Sequence, residues 1–301
     1  MFIIKHKFVF LAISAAILLG SIVSVSLYGL RLGIDFKGGT LLELEYSNTR
    51  PELTRVQDVL KADGVEDAIV QSVGEKGLSV KSRPLSETER ADVVSDLSLE
   101  GAYPLTQKSF TSIGPSVGRE LARKAVVAII LVVIAIVFFI AYAFRSVSEP
   151  VSSWKYGLIA IATLVHDVAI PSGVFALLGH FHGAEVDTLF VVALLTVLGI
   201  SVADTIVVFD RIRENLKNRI ASTFPETVGM SLSQTFVRSI NTSLTVLLVL
   251  AALYFFGPAS TKNFSLVLIV GMFFGTYSSI FVASPLLVLA ERWQGKKKGK
   301  K

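Results

Sequence analysis

Hydrophobic residues along this chain are concentrated in six long stretches separated by polar segments. The first stretch covers residues 8–28, and the others cover residues 125–144, 156–178, 188–209, 239–256 and 264–289. A helix needs about 20 apolar residues to cross a bilayer, so the pattern predicts six transmembrane helices. The apolar core of a cleaved signal peptide is shorter, about 7 to 15 residues, so we expect the first stretch to be a retained anchor.

The segment between the first two stretches, residues 29–118, has the pattern of a soluble α+β domain. Alternating apolar and polar positions predict strands within 39–46, 67–74, 77–83 and 104–114. Helical spacing predicts one helix within 50–64, and a second helix follows Ser86, which can form a capping box with Glu89. The order strand, helix, strand, strand, helix, strand is that of a ferredoxin-like domain. We therefore expect a polytopic α-helical membrane protein with an α+β ferredoxin-like domain between helices 1 and 2.

The positions of lysine and arginine predict how the helices are oriented. Placing the N-terminus in the cytoplasm puts most of the flanking basic residues on the cytoplasmic side, as the positive-inside rule requires. These residues are Lys5, Lys7, Arg145, Lys155, Arg211, Arg213, Lys217, Arg219, Arg238, Arg292 and the lysines at 296–301. The short loops on the opposite side carry only Lys262. Arg119, Arg123 and Lys124 are exceptions, which we assign to a juxtamembrane segment of the exported domain.

The predicted organisation has four parts. Residues 1–28 form a cytoplasmic N-terminus and the first helix, and residues 29–118 form an exported domain. Residues 119–290 form helices 2 to 6, and residues 291–301 form a basic cytoplasmic tail.

Composition agrees with a membrane protein and excludes several kinds of site. The chain is 52% hydrophobic and 18% charged, against about 25% charged residues in soluble domains. Its net charge of +5 does not require a nucleic-acid partner, because the basic residues border the apolar stretches. The absence of cysteine excludes disulfides and thiolate sites. His180 and His182 lack further metal ligands, and no catalytic motif is present, so we expect no enzyme activity, cofactor or metal.

One carboxylate, Asp204, lies inside the fourth apolar stretch. An ionisable residue at membrane depth costs roughly 2.5 to 3.5 kcal/mol to insert and by default marks an ion or proton pathway. Arg238 lies at the start of the fifth stretch at a similar predicted depth, so the two side chains can form an ion pair. Protonation of Asp204 would release Arg238 and favour a different helix packing. The alternative is that Asp204 only holds helices together while Arg238 extends to the interface.

Two further ionisable residues, His166 and Asp167, lie near the middle of the third stretch. Adjacent helical residues point about 100° apart, so the two cannot face one partner equally. The pair is either part of a proton pathway or an interhelical hydrogen-bonding group without a role in transport. Gly271 and Gly275 form a GxxxG pattern in the sixth stretch, which indicates a close-packed helix face.

Five motifs occur in the order and register of one known family. They are GIDFKGGT at 33–40, GPSVGREL at 114–121, HDV at 166–168, DTIVVFDRIREN at 204–215 and FVRSINTSL at 236–244. With these motifs the chain resembles the SecF branch of the SecD/SecF protein-export family, within the resistance-nodulation-division superfamily. Beside the intramembrane residues, the likeness is carried by Asp35, Gly38, Gly39, Gly114, Pro115, Gly118, Asp210 and Arg211.

The resemblance implies a function as well as a fold. A member of this family is a six-helix subunit of the bacterial cytoplasmic (inner) membrane, with a small periplasmic domain and both termini in the cytoplasm. It pairs with SecD, associates with the SecYEG translocon, and uses the proton-motive force to assist preproteins after SecA has driven them inward. SecA, YajC and YidC are more remote partners. The family's proton path uses an Asp of the fourth helix and an Arg of the fifth, which correspond to Asp204 and Arg238.

Two positions depart from the family's pattern. The family usually has Asn before the motif Asp, where this chain has Ala203, and often has an acidic residue where this chain has Asn263. Two other functions are compatible with the sequence. One is a proton-coupled exporter of small molecules or lipids from the same superfamily, and the other is a non-transporting assembly subunit that stabilises the translocon.

Overall fold

The computed structural model describes residues 2–144 and 151–298. The chain forms two compact units, one made of Leu32–Val127 and the other of the remaining residues. Of the residues used above to predict orientation, Arg145 and the tail residues 299–301 lie outside the described ranges.

Six helices in the described ranges are long and apolar enough to span a membrane, as predicted. We name them TM1 (Lys7–Tyr28), TM2 (Pro115–Ala143), TM3 (Ser153–His182), TM4 (Thr188–Lys217), TM5 (Phe224–Phe256) and TM6. TM6 consists of an α-helix at Ala259–Ser278, a π-helical turn at Ser279–Ala283 and an α-helix at Ser284–Lys298. The chain is therefore a multi-pass membrane protein.

TM4 and TM5 extend well beyond their apolar stretches. TM4 continues through charged residues to Lys217, and TM5 begins at Phe224. A capping box sets the start of TM5, because Glu226 N donates to Thr223 Oγ1 at 3.4 Å and Thr223 N donates to Glu226 Oε2 at 3.2 Å. Arg238 therefore lies about four turns into TM5. The prediction that Arg238 stands at the start of this helix is wrong.

The smaller unit contains a four-stranded antiparallel sheet and two longer helices. In chain order these are β1 (Gly39–Tyr46), α1 (Leu53–Ala62), β2 (Ile69–Val73), β3 (Gly77–Ser82), α2 (Glu87–Asp96) and β4 (Leu105–Ile113). The strand order across the sheet is β2-β3-β1-β4, with every neighbouring pair antiparallel. Each element lies within the segment predicted for it, so the predicted order of strands and helices is confirmed.

A core on one face of the sheet and a helix cap stabilise the smaller unit. Alternate residues of β1, namely Leu42, Leu44 and Tyr46, are buried in a cluster with apolar residues of both helices. The predicted capping box of α2 is present. Glu89 N donates to Ser86 Oγ at 3.3 Å, and Ser86 N donates to Glu89 Oε2 at 2.8 Å.

The glycine pair before β1 packs against the start of TM2. Gly38 and Gly39 have φ values of +82° and +143°, which residues with a side chain rarely adopt. A Cβ atom on Gly38 would lie 2.9 Å from Pro115 N and Cα, and one on Gly118 would lie 2.8 Å from Gly38 N. The two glycine motifs therefore contact each other through their backbones, with no space for side chains.

The contact between TM4 and TM6 is similarly close. A Cβ atom on Gly271 would lie 2.3 Å from Val197 Cγ2, and one on Gly275 would lie 3.1 Å from Ser201 Cβ. The GxxxG pattern of TM6 thus forms a close-packed face, as predicted, and TM4 is its partner. TM3 and TM6 are the most buried of the six helices, and TM2 is the most exposed.

Candidate functional site

Asp204 lies within the apolar part of TM4 and makes one hydrogen bond. Ser239 Oγ of TM5 donates to Asp204 Oδ1 at 2.7 Å. The other oxygen, Oδ2, is buried and has no hydrogen-bond partner among the described residues. A buried carboxylate oxygen without a partner has lost its hydration without compensation. This oxygen is therefore a ready acceptor for a proton or a water molecule.

A cavity of about 170 Å³ lies beside Asp204 between TM4, TM5 and TM6. Its polar lining includes the side chains of Ser201, Arg238, Ser239, Thr242, Ser243 and Thr276. A buried water occupies roughly 10–15 Å³ of such space and needs 2–4 polar partners. The cavity can therefore hold several water molecules, which would connect Asp204 to the other polar groups of its wall.

Arg238 lines the same cavity as Asp204 but forms no ion pair with it. The Arg238 side chain is exposed, while the Asp204 oxygens are occupied by Ser239 or left without a partner in the described part of the chain. Arg238 immediately precedes Ser239, which bonds Asp204. Asp204 and Arg238, the two residues predicted from the sequence, therefore belong to one site. The direct ion pair expected from the sequence is absent from this conformation.

His166 and Asp167 of TM3 are buried together between TM4 and TM6. His166 Nδ1 and Asp167 Oδ1 share a hydrogen bond of 2.9 Å. Asp167 Oδ2 accepts one hydrogen bond from Ser278 Oγ of TM6, at 2.8 Å, and a second from Ser201 Oγ of TM4. Both side chains take part in one cluster, because the carboxylate reaches two helices while its other oxygen contacts the imidazole.

Further hydroxyl pairs join the helices around the cavity. Thr205 of TM4 and Ser279 of TM6 share a hydrogen bond of 2.8 Å, and Ser243 of TM5 bonds Thr276 of TM6. Ser279 is the first residue of the π-helical turn, and π-helical turns inside α-helices are frequent at functional sites. The polar side chains of TM3, TM4, TM5 and TM6 therefore form several separate hydrogen-bonded groups inside the helix bundle.

The ionisable members of these groups were predicted from the sequence, whereas the hydroxyls of TM4 and TM6 were not. Ser201 lies three residues before Asp204, and residues three apart share a helix face, so this spacing was an available signal. Ser278 and Ser279 interrupt an apolar stretch, but nothing in the sequence shows which helix each of them faces.

Asp210 and Arg211 lie away from the cavity, at the charged end of TM4. Arg211 Nε donates to Gln234 Oε1 of TM5 at 2.7 Å, and Asn215 Nδ2 donates to the same oxygen at 2.8 Å. Asp210 lies 3.6 Å from Arg213 in an exposed ion pair. This part of the DTIVVFDRIREN motif therefore fastens TM4 to TM5 and makes no contact with Asp204.

The remaining residues singled out in the sequence lie outside the cavity at Asp204. Asp35 lies in the helical turn Ile34–Lys37, close in sequence to the glycine pair, and Gly114 immediately precedes TM2. His180 packs against Tyr28 of TM1, with ring centroids 4.4 Å apart and the rings tilted by 32°. Across residues 2–144 and 151–298 no group of three or more potential ligands could hold a metal ion.

Two family definitions match the sequence. The family of protein export membrane proteins SecD/SecF, C-terminal, matches residues 95–293. The SecD/SecF GG motif matches residues 23–49, a segment that contains Gly38 and Gly39. Together the two matches cover both the glycine pair and the transmembrane helices that form the cavity.

Relatives of nearly the same length and one solved structure agree with this match. The protein translocase subunit SecF of Thermobaculum terrenum is 42% identical over 98% of this chain and 94% of its own length. The SecF subunit of Anaerolinea thermophila is 39% identical over 96% of this chain and 94% of its own. The crystal structure of SecDF from Thermus thermophilus, a translocon-associated membrane protein, aligns with a TM-score of 0.81 and 33% identity, covering 97% of this chain and 38% of that chain. The chain belongs to the SecD/SecF family of protein-export membrane proteins.

Proposed function

We propose that this chain is the SecF-type subunit of a SecD/SecF complex and uses the proton-motive force to assist preproteins across the membrane. The family match and the SecF relatives support the role in export. The observation that carries proton coupling is the Asp204 carboxylate, which lines a cavity at membrane depth while its Oδ2 has no partner among the described residues.

Proton binding changes the forces between TM4 and TM5. As a carboxylate, Asp204 attracts the Arg238 guanidinium, which lines the same cavity. As a neutral acid it no longer does so, and the hydrogen bond with Ser239 is then the remaining interaction of the Asp204 side chain with TM5. The two charge states therefore favour different positions of TM5 relative to TM4.

The energy of one proton is enough to bias the equilibrium between these two helix positions. A charge that crosses the membrane potential is worth roughly 2.3 kcal/mol per 100 mV. Shifting a two-state equilibrium from 1:99 to 99:1 requires about 5.5 kcal/mol. A few kcal/mol from one proton would therefore bias two packings of similar energy strongly, without completing the change alone.

We assign the smaller unit to the ferredoxin-like class and place it in the periplasm. The antiparallel order β2-β3-β1-β4, with two helical crossovers, supports the class. The basic residues that follow the apolar part of TM4, Arg211, Arg213 and Lys217, support a cytoplasmic position for that end. In this orientation the protein lies in a bacterial inner membrane with both termini in the cytoplasm. The smaller unit then faces the side on which preproteins emerge.

The exposed polar face of TM5 supports a partner inside the membrane. Arg238, Asn241 and Thr242 are exposed, and lipid cannot satisfy such groups. SecD is the proposed partner, since this chain spans 38% of the Thermus SecDF chain. The SecYEG translocon and preproteins complete the proposed assembly, with SecA, YajC and YidC as indirect partners.

The proposed function is tested by the completion of preprotein translocation after ATP is exhausted. Proteoliposomes would contain SecYEG, SecD and this chain, with and without an imposed proton gradient. Asp204→Asn removes the proton-binding group and keeps the shape of the side chain, so gradient-dependent completion should be lost.

Thr196→Val is the matched control on TM4, because the Thr196 hydroxyl donates only to Val192 O of its own helix, at 2.8 Å. This variant should complete translocation like the wild type. Completion by Asp204→Asn at the wild-type rate would refute proton coupling and favour a non-transporting assembly subunit. Gradient-driven movement of lipids or small molecules, without movement of preproteins, would favour an exporter.

A further inference from the structure

The His166 and Asp167 side chains form a second ionisable cluster, which the proposed function does not use. They are 2% and 0% exposed, respectively. Buried polar atoms in a purely structural cluster are normally paired, yet His166 Nε2 is buried and has no partner among the described residues. One nitrogen of the cluster is therefore left without a hydrogen-bond partner in the described part of the chain, and the cluster differs in this respect from ordinary interhelical hydrogen bonding.

Ser201 connects this cluster to the cavity at Asp204. Its side chain lines the cavity wall, and its hydroxyl donates to Asp167 Oδ2. Gly275, another wall residue, accepts a hydrogen bond from Ser278 Oγ at 3.0 Å through its carbonyl oxygen. One hydroxyl therefore separates the space around Asp204 from the Asp167 carboxylate.

We infer that Asp167, paired with His166, is a second proton-binding site that is loaded from the Asp204 cavity through the Ser201 hydroxyl. In the loading step, protonated Asp204 gives its proton to a cavity water and becomes a carboxylate, and that water passes a proton on to Ser201 Oγ and is restored. The original Ser201 O–H bond breaks as the new one forms, and its proton passes to Asp167 Oδ2. The serine hydroxyl is regenerated, and the pair changes from a carboxylate beside an imidazole to a neutral acid beside an imidazole. This inference rests on the proposed function, because the cavity must deliver the proton.

Loading changes the hydrogen bonds of TM6. A protonated Oδ2 cannot accept from Ser201 and Ser278 as the carboxylate does, so at least one hydroxyl must turn away. Ser278 immediately precedes the π-helical turn at Ser279–Ala283, where the backbone departs from regular α-helical bonding. Protonation of Asp167 thus acts on the segment of TM6 best able to change its register.

The other titratable groups near the cluster are few. Among the described residues, TM4 contributes Asp204 and TM6 contributes Tyr277, whose ring centroid lies 6.4 Å from that of His166. The Tyr277 hydroxyl donates to Phe10 O of TM1 at 3.3 Å. The charged residues of the packed helices otherwise lie toward helix ends: Lys7, Lys155, Asp210, Arg211, Arg213, Glu214, Lys217, Lys262, Glu291, Arg292, Lys296, Lys297 and Lys298. Asp204 is therefore the neighbour with which Asp167 exchanges protons.

Infrared difference spectroscopy of the full chain with SecD in proteoliposomes, carrying isotope-labelled aspartate, tests this inference. In an Asp204→Asn background, a carboxylic acid band should appear as the pH falls and should vanish when Asp167→Asn is added. After a rapid pH jump with Asp204 intact, Ser201→Ala should slow the appearance of the Asp167 band at least tenfold. Ser278→Ala is the matched control, since it removes another hydrogen bond to the same oxygen but leaves the route from the cavity.

Two results would overturn the inference. One is an Asp167 that stays a carboxylate throughout the pH range in which the complex works. The other is an equal loading rate in Ser201→Ala and Ser278→Ala. The proposed function is refuted by a different result: normal gradient-driven translocation by Asp204→Asn. That result does not depend on whether Asp167 is protonated.

Discussion

Replacing Gly271 by alanine should force TM4 and TM6 apart. The new Cβ atom would lie 2.3 Å from Val197 Cγ2 and 2.9 Å from Val197 Cγ1, whereas carbon atoms in contact are normally about 3.5–4.0 Å apart. Valine in a helix has one strongly preferred rotamer, so rotation of its side chain cannot remove the overlap. Overpacking of this kind costs about 1–3 kcal/mol, and we expect Gly271→Ala to be destabilised by that amount.

Two further variants separate this overlap from a general effect of alanine. Gly199 lies on TM4 with no atom within 4 Å of an added Cβ, so Gly199→Ala should be neutral or slightly stabilising, because alanine favours helix over glycine by up to about 1 kcal/mol. Combining Gly271→Ala with Val197→Ala removes the overlapping methyl groups and should restore most of the lost stability.

The assay is reversible unfolding of the purified full chain in detergent, with translocation measured on the same variants. The coupling between the Gly271 and Val197 substitutions in a double-mutant cycle should be favourable and at least about 1 kcal/mol. Equal stability of Gly271→Ala and Gly199→Ala, or no recovery in the double variant, would refute the described contact between TM4 and TM6.

Three other outcomes follow from the smaller unit. Ser86→Ala removes the cap of α2 and should cost about 1 kcal/mol, seen as faster hydrogen exchange at 87–96 in the full chain; unchanged exchange would contradict the capping role. Burial, with a further contribution from the neighbouring Asp96 carboxylate, raises the pKa of Asp63 above its ordinary value of 3.8. Its contribution to stability is therefore complete below that value and is lost as the pH rises through the raised pKa. Asp63→Asn should consequently slow hydrogen exchange in α1 and α2 at neutral pH. If the pH dependence of stability were the same in Asp63→Asn and the wild type, the proposed effect of Asp96 on Asp63 would be contradicted. Gly118→Ala places a Cβ 2.8 Å from Gly38 N, a backbone atom that cannot yield easily, and should cost about 1–3 kcal/mol; the measurement is protease resistance of the unit, and wild-type resistance would contradict the close contact.

Most of the fold could be predicted from the sequence, because its signals are local. Apolar length identified each membrane helix, and alternation with one capping box identified the strands and helices of the smaller unit. The limits of TM4 and TM5 were harder, since both helices continue into polar sequence where apolar length gives no information. Thr223 and Glu226 have the same capping-box spacing as Ser86 and Glu89. This spacing was not used to predict the start of TM5, because it lies outside the apolar stretch.

The site could be predicted only in part. Asp204, Arg238, His166 and Asp167 stand out because ionisable groups are rare at membrane depth. Their partners do not, because Ser201 acquires its role only when TM3, TM4 and TM6 pack together. The prediction that Arg238 stands at the start of TM5 was wrong, because the helix begins at Phe224, but Arg238 does line the same cavity as Asp204.

The most direct test of the central claim is the uptake of protons during export. Proteoliposomes that contain SecYEG, SecD and this chain, with a pH-sensitive dye in the compartment that protons enter, would report proton movement as a preprotein is translocated. We expect a preprotein-dependent proton flux in the wild type that is absent in Asp204→Asn and present in Thr196→Val. An equal flux in the wild type and Asp204→Asn would contradict the claim that Asp204 is the group through which protons drive this subunit.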